Sequence, residues 1–296
     1  MTSNNALQEY RNDFSSLKNH GKSFYWASFF LPASNRLGAS QLYSICRYFD
    51  DLADESDKNL SEEIKSQLQK ITSDKSHEVN VFFQRYGISL SILEDLTNGL
   101  IKDQTSVRLN TEAELIEYSY EVAGTVGLMM MPIIDVRDSK AKKHAIDLGI
   151  AMQLTNIARD IYEDSIINRI YLPKDWIGEV DTLSLKDIKN TQIQNKVSDA
   201  LKRIIKLSNI YYENGFSGLR YIPIRTRLAI YIAAQVYKGI GEKIKSNGFL
   251  YDNKRVYLNR FEKLLITLKS IPKFFFINHI YKKYSAIRGT FKNENL

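Results

Sequence analysis

Residues 148–173 constrain the fold of this chain more than any other stretch, because a helical apolar pattern there carries regularly spaced polar residues. Asn156, Asp160 and Asp164 recur every four residues. Gln153 precedes the first of them by three. Side chains three and four residues apart share one face of an α-helix, so these groups form a polar stripe. The remaining positions are mostly apolar, which predicts a helix buried nearly all round. Buried carboxylates are costly unless a cation meets them, so the stripe indicates a functional site.

The rest of the sequence favours an all-α fold. Only five prolines and fourteen glycines interrupt 296 residues, and so few chain-breaking residues favour long helices. No repeat, low-complexity block or composition shift marks a boundary, so we expect residues 1–296 to form a single all-α domain. Apolar periodicity and capping patterns predict further helices near residues 20–31, 34–52, 82–103, 111–136, 192–215 and 224–246.

Several protein classes are disfavoured by composition. The single cysteine, Cys46, excludes an internal disulfide. The polar first residues do not resemble a secretory signal, and no apolar run reaches the roughly 20 residues of a membrane-spanning helix. We therefore expect a cytoplasmic protein, attached at most to the inner face of a membrane.

The positive charge is concentrated near the C-terminus. Residues 253–296 hold ten Lys and Arg and two Glu, a balance of +8, whereas the whole chain carries +7. Aromatic residues lie between these cations, so the tail is a candidate for peripheral contact with an anionic bilayer. A solvated basic helix face covering the core is an equal alternative. Nucleic-acid binding is not expected, because only the charge of the tail favours it.

A second acidic cluster, FDDLADE, occupies residues 49–55. Asp50 and Asp54 are four residues apart on one helical face, where like charges cost an isolated helix about 0.2–0.5 kcal/mol. Alone, such a cluster is typical of a solvated face. The apolar residues at helical spacing that precede this cluster, and its four-residue spacing, match the stripe at 156–164. Two aspartate stripes that face each other would form an oxygen-rich cage. Mg²⁺ prefers carboxylate ligands, and substrate phosphates often complete its coordination shell.

Basic residues accompany both clusters, as binding of a metal and a phosphate together requires. Arg47 lies three residues before Asp50, Arg159 directly precedes Asp160, and Lys22 lies in an HGKS turn. The four histidines form neither a Glu-x-x-His nor a His-x-x-x-His pair, so a zinc or di-iron site is not predicted. No glycine-rich nucleotide loop follows a strand.

Four passages of the sequence resemble the squalene/phytoene synthase family, and in particular bacterial phytoene synthases. They are HGKSFYWASFFLP, LYSICRYFDDLADE, YSYEVAGTVGLMM and LGIAMQLTNIARDIYEDSIINRIYLPKDW. With weaker similarities further on, the resemblance spans roughly residues 20 to 258. It implies the all-α isoprenoid (terpenoid) synthase fold, with the two aspartate motifs on opposing helices of a central apolar cavity.

The resemblance also implies roles for individual residues. The residues implied as metal ligands are Asp50, Asp54, Asn156, Asp160 and Asp164. Those implied to contact diphosphates are His20, Lys22, Ser23, Arg47, Arg159, Tyr237 and Arg255. Tyr120 is implied as a cavity tyrosine and Gln153 as a neighbour of the reacting carbons. Further candidates for the cavity wall are Phe24, Trp26 and Met129–Met131, although ordinary core packing is the preferred interpretation of the methionines.

The reaction implied by the resemblance joins two molecules of geranylgeranyl diphosphate into phytoene, with Mg²⁺, or Mn²⁺ in its place, as cofactor. NADPH is not expected. Two alternatives remain open. The first is squalene or dehydrosqualene synthesis from farnesyl diphosphate. The second is a non-catalytic, membrane-associated assembly factor of the same fold, which complete aspartate motifs disfavour.

Overall fold

The computed structural model describes residues 14–54, 60–103, 107–276 and 287–295, and these ranges are built from α-helices. The helices, numbered in chain order, are α1 (Ser15–Asn19), α2 (Lys22–Ser28), α3 (Ala33–Asp54), α4 (Leu60–Ser73), α5 (Glu78–Tyr86), α6 (Leu90–Lys102), α7 (Glu112–Ser119), α8 (Thr125–Ile133), α9 (Lys142–Ile166), α10 (Lys174–Ile177), α11 (Thr182–Lys186), α12 (Thr191–Ser217), α13 (Ile224–Ser246) and α14 (Arg260–Phe275). A π-helical turn, Tyr120–Gly124, joins α7 to α8. The predicted all-α class is confirmed.

Local sequence determines where several helices begin and end. The helical periodicity over residues 82–103 is divided between α5 and α6, because Gly87 takes a left-handed φ of 66°. Only glycine adopts this conformation without a steric cost. Ser89 then caps α6 by accepting a hydrogen bond from the Ser91 amide. At α7, Thr111 caps the helix as its pattern predicts, accepting a hydrogen bond from the Glu114 amide at 3.2 Å.

Helix α9, which carries the polar stripe, lies at the centre of the molecule. It packs against α8, α12, α13 and the π-helical turn. Its apolar side chains Ile146, Ile150 and Leu154 are fully buried, as the sequence predicts.

Glycines allow α9 to approach the chain from the π-helical turn into α8 closely. A Cβ atom on Gly149 would lie 2.2 Å from the Ala123 carbonyl oxygen. One on Gly127 would lie 2.2 Å from the Ala145 carbonyl oxygen. At both positions backbone contacts backbone, so any side chain would force the helices apart. These contacts fix the position of α9 relative to α8.

Two hydrophobic clusters flank a large cavity. The larger surrounds α9, α12 and α13, and the smaller joins α3, α4, α5, α6 and α8. The cavity has a volume of about 1080 Å³ and is lined from both clusters. This placement brings α3 and α9, the two helices with aspartate motifs, to one space. In the described ranges, no helix combines the length and apolarity needed to cross a membrane.

The basic tail has two described parts. Its first part forms α14, which packs on α13. Its last part, residues 287–295, lies against α6 and α9. There Asn293 donates a hydrogen bond to Asp95, and the Arg288 guanidinium pairs with Asp147 at 2.7 Å. The intervening residues 277–286, which hold two of the tail's tyrosines, lie outside the described ranges.

Candidate active site

The central cavity gathers almost all of the site residues predicted from the sequence. Of the fourteen, thirteen line it. They are His20, Lys22, Ser23, Arg47, Asp50, Asp54, Gln153, Asn156, Arg159, Asp160, Asp164, Tyr237 and Arg255. These residues come from the turn before α2, from α2, α3, α9 and α13, and from the segment before α14. Residues far apart in the chain therefore meet around one cavity, whose lining also includes many apolar side chains.

Tyr120 is the exception, because it is not among the residues that line the cavity. Its hydroxyl donates a hydrogen bond to Asp95 at 2.9 Å, and its ring stacks on Phe291 with centroids 3.9 Å apart. Tyr118 lines the cavity instead. Residues two apart point in widely different directions on a helix, so only one of the two tyrosines in YSY can face the cavity.

Asp160 is held between two arginines. Arg255 donates two hydrogen bonds to its carboxylate, at 2.7 and 2.9 Å. Arg159 donates two more, at 2.7 and 2.5 Å. The Asp160 backbone leaves helical geometry, with φ −108° and ψ 15°, so α9 is kinked at this residue. The carboxylate thus lies between two cations that could also contact an anionic ligand.

The other two members of the stripe, Asn156 and Asp164, lie in surroundings that are costly for their oxygen atoms. The Asn156 amide donates to Gln153 Oε1 at 3.2 Å, while its own buried Oδ1 accepts no hydrogen bond from the described residues. Burial, and then the neighbouring Asp160, raise the pKa of Asp164 to about 8. A buried oxygen without a donor and a carboxylate that resists ionisation would each be stabilised by a nearby cation.

The first aspartate motif is engaged by a different pair of arginines. Arg47 pairs with Asp50 at 2.6 Å and also with the exposed Asp51. Arg169 pairs with Asp54 at 2.9 Å. Burial raises the pKa of Asp50 to about 6, against the opposing effect of Arg47. Asp51 lies outside the cavity lining, so Asp50 and Asp54 are the two carboxylates that this motif presents.

A buried polar network next to the first aspartate motif was not predicted from the sequence. Asp103 accepts hydrogen bonds from the hydroxyls of Tyr118, at 2.8 Å, and Tyr171, at 2.9 Å. Arg169, which pairs with Asp54, also donates to the Asp103 carbonyl at 3.0 Å. Burial raises the pKa of Asp103 to about 6. The network ties the end of α6, α7 and the chain after α9 to Asp54.

The sequence held only a partial signal for this network. Arg169 and Tyr171 lie in the RIYLP passage, within one of the four family-like stretches. Asp103 is the last residue of the helix predicted over residues 82–103, and nothing local distinguishes it from a solvated residue. Its role depends on contacts with residues 15 and 68 positions away.

Aromatic and aliphatic side chains form the rest of the wall. The ring of Phe24 lies 4.8 Å from that of Tyr237 and 6.4 Å from that of Tyr43, and Met130 and Met131 line the cavity as well. Two other candidates do not. Trp26 donates its indole N–H to Thr267 at 3.0 Å, and Met129 is fully buried in the smaller cluster. Both are packing residues.

The carboxylates do not form a metal cage by themselves. Among the described residues, no three His, Cys, Asp or Glu side chains converge closely enough to hold an ion. Asp50, Asp54 and Asp160 are paired with arginines, and the third donor of the α9 stripe is an amide. The cavity lining combines cations and oxygen donors with many apolar side chains, which suits an amphipathic ligand with an anionic head.

Comparisons with known proteins agree with this geometry. The family model described as squalene/phytoene synthase matches residues 17–262. A 15-cis-phytoene synthase from Enterobacter agglomerans is 34% identical over 263 residues, covering 83% of this chain and 89% of that protein. A phytoene synthase from Thermus thermophilus is 31% identical over 264 residues, covering 86% and 89%.

A solved structure supports the fold. The crystal structure of a dehydrosqualene synthase in complex with a ligand superposes with a TM-score of 0.78 at 27% identity. The superposition covers 91% of this chain and 99% of that one. The expected all-α isoprenoid synthase fold is confirmed. The residues matched by the family model include both aspartate motifs and Arg255.

Proposed function

This chain belongs to the squalene/phytoene synthase family, and we propose that it joins two molecules of geranylgeranyl diphosphate head to head into phytoene. The observation that carries the proposal is the meeting of both aspartate motifs and their arginines in one cavity of about 1080 Å³. That volume lies just above the range of about 300–1,000 Å³ that is usual for ligand sites, as two long prenyl chains require.

The polar end of the cavity binds the diphosphates in this proposal. Arg47, Arg159 and Arg255 would exchange part of their aspartate contacts for phosphate oxygens, in the bidentate geometry that guanidinium groups favour. The oxygens of Asp50, Asp54, Asn156, Asp160 and Asp164 would hold Mg²⁺, with Mn²⁺ as a substitute. The unpartnered Asn156 Oδ1 and the raised pKa of Asp164 support that fit. When bound, the metal neutralises charge that develops on the departing diphosphate.

The reaction has two stages. In the first, the C1–O bond of one substrate breaks and its electron pair leaves with diphosphate. The C2=C3 bond of the second substrate attacks the allylic cation, and loss of a proton gives the cyclopropyl compound prephytoene diphosphate. In the second, the remaining diphosphate departs, the carbon skeleton rearranges, and loss of a proton yields phytoene. The apolar wall excludes the water that would capture either cation.

The assignment of the C20 substrate is supported by similarity to curated phytoene synthases. The second candidate is dehydrosqualene synthesis from farnesyl diphosphate, supported by the superposed dehydrosqualene synthase. Both reactions use the same polar end of the cavity. They differ only in how much apolar volume the two chains fill.

The test is incubation of the purified protein and Mg²⁺ with either the C15 or the C20 diphosphate, with and without NADPH, followed by product identification. We expect phytoene from the C20 substrate, without a requirement for NADPH. A C30 hydrocarbon as the sole product would replace phytoene by the second candidate. Absence of any C30 or C40 hydrocarbon would refute the catalytic proposal and favour a non-catalytic assembly role.

A matched pair of tyrosine variants tests the site itself. Tyr118→Phe removes one of the two hydroxyls that hold Asp103, so turnover should fall. Tyr120→Phe alters a residue outside the cavity and should leave turnover near the wild-type rate. A larger loss of turnover in Tyr120→Phe than in Tyr118→Phe would contradict the placement of Tyr118 at the site.

A further inference from the structure

Helix α14 has its apolar side facing outward. Three of its four buried side chains are polar, namely Lys263, Thr267 and Ser270. The Thr267 hydroxyl donates to the Lys263 carbonyl at 2.8 Å and accepts from Trp26 at 3.0 Å. Ser270 donates to the Ile266 carbonyl at 2.7 Å. A surface helix of a globular protein ordinarily shows the opposite arrangement, with its apolar stripe on the core.

The outward face of α14 is a continuous apolar stripe. It consists of Phe261, Leu264, Leu265, Leu268, Phe275 and the adjoining Phe276, each at least 41% exposed. At about 100° per residue, these positions fall within an arc of about 120°. Eight of the fifteen exposed large hydrophobic side chains in the described ranges lie between residues 250 and 276. So concentrated an apolar surface marks an interaction site rather than the scattered exposure that every protein has.

Cations border this stripe on both sides. Arg260 lies on one flank, Lys269 and Lys273 lie on the other, and all three are exposed. The helix's one acidic residue, Glu262, is paired with Lys243 at 2.6 Å. An apolar face bordered by unopposed cations is the pattern of helices that lie in the interface of an anionic bilayer. A protein partner would need a matching acidic rim, whereas anionic headgroups supply that charge everywhere.

The inner side of the same helix reaches the cavity. Lys263, and Leu258 just before α14, line the cavity, as does the exposed Tyr257. Helix α14 therefore separates the space that holds the ligand from the outward apolar stripe. This position suits a lipophilic substrate or product that passes between the cavity and a membrane.

We propose that α14 docks this protein onto the surface of an anionic lipid bilayer, with the Phe261–Phe276 stripe inserted among the acyl chains. The docking rests on the surface of α14 alone. Its use in delivering prenyl substrates rests additionally on the proposed function.

The test is flotation of the full chain with vesicles, in the absence of metal and substrate. One vesicle preparation contains three parts phosphatidylcholine to one part phosphatidylglycerol, and the other contains phosphatidylcholine alone. We expect stronger binding to the anionic vesicles, weakened by added NaCl because the headgroup attraction is screened. Absence of binding, or equal binding to both preparations, would overturn the proposal.

Variants locate the contact. Leu268→Glu places a charge in the middle of the stripe, and we expect it to weaken vesicle binding about tenfold or more, as the loss of one buried leucine implies. The matched control is Leu183→Glu, an exposed leucine on α11, which should bind like wild type. Lys269→Glu combined with Lys273→Glu should remove the preference for anionic vesicles. Unchanged binding of Leu268→Glu would overturn the assignment to α14.

A second copy of the chain is the competing occupant of the stripe. A concentration-dependent dimer that Leu268→Glu dissociates, together with no vesicle binding by the wild type, would assign the stripe to self-association and overturn the proposal. No prenyl substrate enters these measurements. Failure of the catalytic proposal would therefore leave their outcome unchanged.

Discussion

The last described segment of the chain is held to the central helix by a buried ion pair. The Arg288 guanidinium lies 2.7 Å from the Asp147 carboxylate of α9 and 2.8 Å from Glu294. The side chains of Arg288 and Asp147 are 4% and 0% exposed. Asp147 also accepts a hydrogen bond from Asn214 at 3.0 Å. Removing the arginine would take away the guanidinium partner of a carboxylate whose side chain is 0% exposed.

We expect Arg288→Met to destabilise the protein by about 3–5 kcal/mol, the usual cost of breaking a buried pair from one side. Adding Asp147→Asn removes the buried charge that Arg288 faced and keeps an acceptor for Asn214, so the double variant should recover at least half of the loss. The control is Lys202→Met. It breaks an ion pair of 2.8 Å whose side chains are 55% and 75% exposed, and should cost less than about 1 kcal/mol.

The measurement is equilibrium unfolding in urea, followed by far-ultraviolet circular dichroism, with the free energy of unfolding taken from midpoint and slope. An Arg288→Met protein within about 1 kcal/mol of wild type would refute the reasoning. So would a double variant less stable than Arg288→Met alone. Either result would mean that Asp147 is not charged and enclosed as the structure describes.

Three further predictions concern the site and its frame. Asp160→Asn weakens the contacts with Arg159 and Arg255 and should abolish turnover while the helical content stays intact. The control variant Asp51→Asn, at an exposed position, should leave turnover detectable in the same product assay. In the metal-free protein, the pKa of Asp164 near 8 lies above its ordinary value of about 3.9. Between those pH values the folded state binds more protons than the unfolded state, so the melting temperature should fall as pH rises through this window. Asp164→Asn should remove the contribution of this residue to the pH dependence of the melting temperature. Gly149→Ala places a Cβ 2.2 Å from a carbonyl oxygen of the adjoining π-helical turn and should cost about 1–3 kcal/mol in urea unfolding. Gly289→Ala, which meets nothing within 4 Å, should cost little.

The sequence by itself determined most of the long helices and the faces that carry chemistry. The stripe at Asn156, Asp160 and Asp164, and the pair Asp50 and Asp54, follow from spacing along single helices, and such local patterns need no knowledge of the fold. Helix ends at capping residues such as Thr111 were readable for the same reason. The resemblance to a known family added the remaining site residues. Of the fourteen predicted in total, thirteen line the cavity.

Tertiary structure alone decided how these faces are combined. The pairing of Arg169 with Asp54 spans 115 residues and that of Arg255 with Asp160 spans 95, so no local pattern could reveal either. The choice between Tyr118 and Tyr120 depended on the rotation of α7 about its axis, which contacts with other helices fix. The outward direction of the apolar face of α14 is likewise set by tertiary contacts. The polar side of this helix faces inward, where Lys263 lines the cavity and Thr267 accepts a hydrogen bond from Trp26. In each case the deciding energy comes from contacts between distant segments, which a sequence pattern does not contain.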